Sequence, residues 1–201
     1  ALRRLALPEE VRTMGSEGKL AGGHARAVLA VAEEDKRVEA AKQMVGMSVR
    51  QAEALAEKAE ALQLDRVITS AMKRARQTGA IIGARLDIPV EMDARLAEIN
   101  FGKYEGAPRN DPGYHRDKLQ FACRYEGGGE STFQAVQRLY NCLDEIREKY
   151  EEQNVLLVAH GSACRILHTY FTDVKNEDFF RFRLDNCEAV GYDWPVKSDT
   201  I

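Results

Sequence analysis

Along the first sixty residues, apolar positions recur at helical spacing between turns; after residue 65, short continuous apolar runs alternate with helical segments. Pro8 suits a first helical turn, with Glu9 and Glu10 behind it and Gly15 as a stop. A second helix is predicted over "HARAVLAVA", after Gly22 and Gly23, and a third from Asp35 to Val45, ended by Gly46. Ser48 followed by Gln51 makes a capping box for a fourth, residues 48–62. Its Val49, Ala52, Leu55, Ala56, Ala59 and Leu62 form one apolar stripe.

Beyond that helix the unit becomes strand followed by helix. "RVITS" is a short β-branched run, and Ser70 then opens the helical "AMKRARQTGAIIGARL"; "IPVEM" is a second strand candidate. "NVLLVAHGSACRILHTYF" repeats the form, an apolar run that breaks into a glycine turn and a helix. "EAVGYDW" reads as a last strand. The expected fold class is α/β, a mostly parallel sheet with flanking helices, preceded by an all-α segment.

Composition adds one asymmetry. Every Phe, Tyr and Trp lies at or after Phe101, so the first hundred residues must build any core from Ala, Leu, Val, Ile and Met and are expected to lean on the second half. The 201 residues, 44% hydrophobic and 30% charged, suit a globular chain, and a net charge of −3 offers no general attraction to nucleic acid or anionic lipid. No apolar run approaches the roughly 20 residues that cross a bilayer, and "ALRRLALPEE" lacks a signal-peptide core, so a cytosolic location is expected. Cys123, Cys142, Cys164 and Cys187 are widely spaced, with no zinc-type pairing, which points to thiols and to no metal or other cofactor.

In parallel sheets ligands bind beyond the carboxyl ends of the strands, where helix N-termini offer N–H groups. Lys73, Arg74 and Arg76 follow "RVITS", and His160, Gly161 and Ser162 follow "NVLLVA". Guanidinium groups and an imidazole converging on one edge make an oxyanion or phosphate site; a solvated basic helix face and a turn-capping histidine are the plainer alternative.

The segments "LDRVITSAMKRARQTGAIIGARLDIPVEMDARLAEINFGKYEG", "GGGES", "VLLVAHGSACRIL" and "DNCEAVGYDW" together resemble the histidine phosphatase superfamily, the phosphoglycerate mutase-like proteins, from about Gln51 to Trp194. The resemblance implies that Arg74 binds phosphate, that His160 is the second histidine of the pocket and that Glu98 donates a proton to the leaving group. It also implies a phosphate-accepting histidine in an Arg-His-Gly motif, and no Arg-His-Gly occurs anywhere in this sequence. His24 of "GGHAR" stands upstream, but nothing before it reads as a buried strand.

Upstream, "LRRLALPEEV", "GKL", "GHARA" and "SVRQ" resemble the ParB family of chromosome-partitioning proteins, over about Ala1 to Lys58. The resemblance covers the helices that follow the DNA-reading helix, not that helix itself. The expected organisation is a ParB-like helical segment, 1–58, and a truncated phosphatase-like α/β domain, 51–201, sharing the helix 48–62. The leading expectation is a recombined or engineered chimera with no evolved catalytic function. A phosphomonoesterase working through His160, Glu98 and Arg74, and a DNA-binding module using Arg3, Arg4 and "GHAR", are the alternatives. Acidic and basic residues balance over the first sixty positions, which disfavours DNA. In the resembled family the Arg-His-Gly strand lies beside Val155 to Ala159, so that edge is expected to find another partner: "EAVGYDW", covering helices, or a second copy in a homodimer or strand exchange. A phosphate or phosphate ester is the expected ligand, and no membrane is expected.

Overall fold

The computed structural model describes residues 8–16, 38, 51, 54, 57, 59–60, 62–108 and 110–194. The elements over the described residues run α1 (Glu9–Ser16), β1 (Arg66–Ser70), α2 (Lys73–Leu86), β2 (Val90–Asp93), α3 (Pro112–Asp117), α4 (Thr132–Lys149), β3 (Val155–Val158) and α5 (Gly161–Phe171), with single 3-10 turns at Ala94–Leu96 and Gly102–Tyr104. "HARAVLAVA", His24, Ser48 and most of the third expected helix lie outside the described residues. Within 48–62, Gln51, Ala54, Glu57, Ala59 and Glu60 are helical. Ala59 is buried, but Leu62 lies in the following turn and is exposed, so the stripe ends before it. Gln63 closes that turn with φ of 48°, a left-handed conformation that stops a helix.

The three strands form a parallel sheet in the order β2-β1-β3. β1 is central, and Val67 through Ser70 are buried, as a strand covered on both faces must be. Alternate side chains serve opposite layers. Ile68 joins the main core with Leu139, Leu143, Ile146, Ala163 and Ile166, with Val155 and Leu157 packed against it. Val67 packs with Ile82 of α2, beside Leu156 and Val158. Helices therefore cover both faces: α4 and α5 on one, α2 on the other. The main core draws mostly on residues after 95. Close packing on the α2 side needs Gly83, where a Cβ would come within 2.2 Å of Val90.

α4 was not named from the sequence, although its signals are local. Ser131 caps it through a reciprocal box with Gln134, and Ala135, Leu139, Cys142, Leu143 and Ile146 face inward. The opposite correction applies to "EAVGYDW": residues 188–194 form no strand. Their aromatic rings are used elsewhere. Tyr192 stacks on Phe171 at 4.7 Å, Trp194 lies 5.4 Å from Phe171, and the Tyr192 hydroxyl meets His168 Nδ1 at 2.7 Å. The segment is laid across α5, not paired with β3.

Asn154 joins the starts of β1 and β3. Its N–H donates to Asp65 Oδ2 at 2.7 Å, its amide Nδ2 to Gln63 O at 3.1 Å, and its carbonyl accepts from Asp65 N at 2.9 Å. Cys123, Cys142, Cys164 and Cys187 are free thiols. No helix among the described residues is long and apolar enough to cross a membrane.

Candidate active site

The carboxyl ends of all three strands meet at one place. β1 ends at Ser70, and Arg74 stands in the first turn of α2; the chain beyond β2 brings up Glu98; β3 leads through Ala159 into His160, the N-cap of α5. The residues singled out from the sequence, Arg74, His160 and Glu98, are thus brought to one edge of the sheet. Arg76 and Lys73 are exposed on the same helix.

His160 is 6% exposed, and both ring nitrogens are engaged. Arg74 Nε donates to Nδ1 at 3.1 Å, and Nε2 lies 2.8 Å from Ser70 Oγ. A guanidinium only donates, so Nδ1 carries the lone pair and Nε2 the proton, which it gives to the Ser70 hydroxyl. The imidazole is held neutral. Burial, reinforced by the positive charges of Arg74 and Arg138, pushes its pKa down to about 4.

Glu98 occupies the start of α5. Its Oε1 accepts from Ile99 N at 3.0 Å and Ala163 N at 3.1 Å, and its Oε2 from Ser162 N at 3.2 Å. The carboxylate fills the anion-attracting end of a helix whose N-cap side chain makes no capping bond. Arg138 of α4 holds the loop behind it, donating to Glu98 O at 3.3 Å and pairing with Glu130 at 2.6 Å. Ser70, read from the sequence as opening the helix, instead ends β1, and neither its place in the site nor that of Arg138 was foreseen. A strand-terminal serine and a mid-helix arginine carry no motif, and only the folded register brings them here.

One turn along α5 from His160, Arg165 lines a notch with Ser162, Tyr114, Phe179 and Phe180. Its guanidinium carbon lies 5.4 Å from the Phe180 centroid, and Lys118 Nζ approaches the same ring at 4.7 Å. Burial, then the charges of Arg165 and Arg183, lower the Lys118 pKa. A separate opening of about 450 Å³ lies at the far end of α5, between His168, Arg181 and Phe182, away from these groups.

Among known proteins, residues 1–61 match the ParB HTH domain and residues 46–198 the histidine phosphatase superfamily, branch 1, so the two matches overlap over 46–61. Bifunctional protein Rv2228c of Mycobacterium tuberculosis is 32% identical over 124 residues, 59% of this chain but 34% of that protein; the chain thus spans about a third of this relative's length. The uncharacterized phosphatase PhoE of Bacillus subtilis is 29% identical over 160 residues, covering 76% of this chain and 78% of that protein. The mycobacterial glucosyl-3-phosphoglycerate phosphatase superposes with a TM-score of 0.57 at 25% identity over 65% of this chain and 69% of that one, and it has also been solved with inorganic phosphate. A parallel sheet whose strand ends gather a histidine, an arginine and a glutamate, matched over residues 46–198, places the chain in the histidine phosphatase superfamily.

Proposed function

We propose that the chain binds phosphomonoesters through Arg74 and His160, with Glu98 placed as proton donor to the leaving group, in the manner of a histidine phosphatase, and that hydrolysis by this chain alone is slow. The observation that carries the reading is the convergence of three strand ends on the Arg74–His160 pair. Arg74 is exposed, and its guanidinium is the group suited to a phosphoryl oxygen. As it turns toward a phosphate it releases Nδ1 of His160, the only ring position carrying a lone pair. Glu98 stands beside Ser162, one turn from Arg165, where the ester oxygen of a bound substrate would leave. The aromatic rings and cations around Phe180 form the wall for the organic part of the ester, favouring one that carries further negative charge.

Slow turnover follows from chemistry. The sequence offers no Arg-His-Gly histidine to accept the phosphoryl group, so His160, freed by Arg74, would have to act as nucleophile without a second histidine to stabilise the transferring charge. The ParB-like segment is read as a helical attachment without DNA function, the whole being a recombined chain whose shared helix belongs to both parts. Orthophosphate titration followed by calorimetry, alongside p-nitrophenyl phosphate hydrolysis by the unmodified chain, His160→Ala and His24→Ala, tests this. Saturable phosphate binding lost in His160→Ala, with hydrolysis near the buffer rate, is the expected result. Turnover abolished only by His160→Ala establishes a working phosphomonoesterase, a reading favoured by the neutral imidazole; turnover abolished by His24→Ala overturns the site itself.

A further inference from the structure

The second edge of β3 has no partner strand among the described residues, and the ladder to β1 fixes which of its backbone groups face that edge. Val67 N donates to Pro89 O on the β2 side, so strand alternation turns Arg66 and Ile68 toward β3. With Arg66 level with Val155 and Ile68 with Leu157, the groups of Leu156 and Val158 point at β1. Those of Val155, Leu157 and Ala159 therefore point outward. Val155 through Ala159 are all half-buried, and the run contains no charge and no proline. The opposite edge is guarded: β2 carries Glu91, paired with Arg66 and Lys149, and Asp93, paired with Arg95.

We infer that the outer edge of β3 is a self-association site, where a second copy of this chain adds its own β3 antiparallel about a two-fold axis through Leu157. That axis sets Leu157 opposite Leu157 of the second copy, and Val155 opposite its Ala159, so each outward N–H finds an outward carbonyl. Charge favours the same direction. Exposed Glu151 and Glu152 lie before β3; at its far end the Glu98 carboxylate is taken up by the N–H groups of Ile99, Ser162 and Ala163 while the Arg74 guanidinium is exposed, so antiparallel pairing sets the acidic end of one copy beside the Arg74 end of the other. The edge itself owes nothing to phosphate chemistry, while of its flanking charges Arg74 is shared with the proposed phosphate site. It needs only the edge and its flanking charges.

Sedimentation velocity over a concentration series, with amide hydrogen exchange at low and high concentration, tests it on the unmodified chain. A monomer–dimer equilibrium is expected, with the Leu157 amide gaining protection as concentration rises while the Leu156 amide stays protected throughout. Val155→Pro removes an outward N–H and leaves the bonds to β1 intact, and the exposed pair Glu151→Lys with Glu152→Lys reverses the flanking charge. Each is expected to weaken dimerisation at least tenfold. A monomer at every soluble concentration overturns the inference, as does a dimer untouched by both changes, or a Leu157 amide protected regardless of concentration.

Discussion

At the scale of single residues, Glu98 has two competing uses. Held by the N–H groups of Ile99, Ser162 and Ala163, its carboxylate sits where an anion would otherwise be attracted, so it repels the phosphate the site is proposed to take. Glu98→Gln is therefore expected to tighten orthophosphate binding several-fold by calorimetry while lowering any hydrolysis. Weaker binding in that variant would show that Glu98 orders the site more than it repels. His160 gives a second test through pH. Its folded pKa of about 4 lies below the ordinary value of 6.5, so the unfolded chain binds the extra proton between those limits. Stability is full above pH 6.5 and falls as pH drops toward 4, by roughly 3 kcal/mol. Urea unfolding followed across this window should show the loss in the unmodified chain and much less of it in His160→Gln. Glu91 and Asp93, whose pKa values are lowered chiefly by Tyr150 and Arg95 respectively, add their own loss only at lower pH.

At the scale of elements, what could be read in advance was what local sequence determines. "RVITS" and "VLLVA" were legible as short β-branched or apolar runs that break into helices, and "IPVEM" only as a β-prone run, since β2 is an edge strand whose residues are exposed or half-buried. From them followed Arg74 and His160. "EAVGYDW" misled because β-branched and aromatic residues make a strand only where an edge accepts them; Tyr192 and Trp194 found the rings of α5 instead. α4 shows how much a single cap supports. Ser131→Ala removes one half of its box and is expected to cost about 1 kcal/mol, whereas Leu139→Ala, at a fully buried position, is expected to cost about 2–5 kcal/mol. Thermal and urea denaturation of the two variants would rank them; an equal loss would mean that α4 frays back to Leu139 without its cap.

At the scale of the whole molecule, the balance of charge over residues 1–60 sets an expectation for the ParB-like segment. A labelled duplex should not be retarded by the chain at physiological salt, and any binding at low salt should vanish with a shallow salt slope. Sequence-dependent retardation would show that the segment reads DNA without the basic footprint such proteins carry. The Asn154 clasp, at the opposite end of the sheet from the candidate site, constrains it by length. A strand hardly stretches, advancing about 3.3 Å for each residue, so anchoring β3 beside Asp65 and Gln63 also sets how far His160 reaches. A slip of one residue would turn each side chain of β3 to the opposite face of the sheet and draw the imidazole a full step away from Ser70. The amide of Asn154 is in that sense a datum mark: the tolerance of the candidate site is decided at the far end of the strand, beside Asp65 and Gln63.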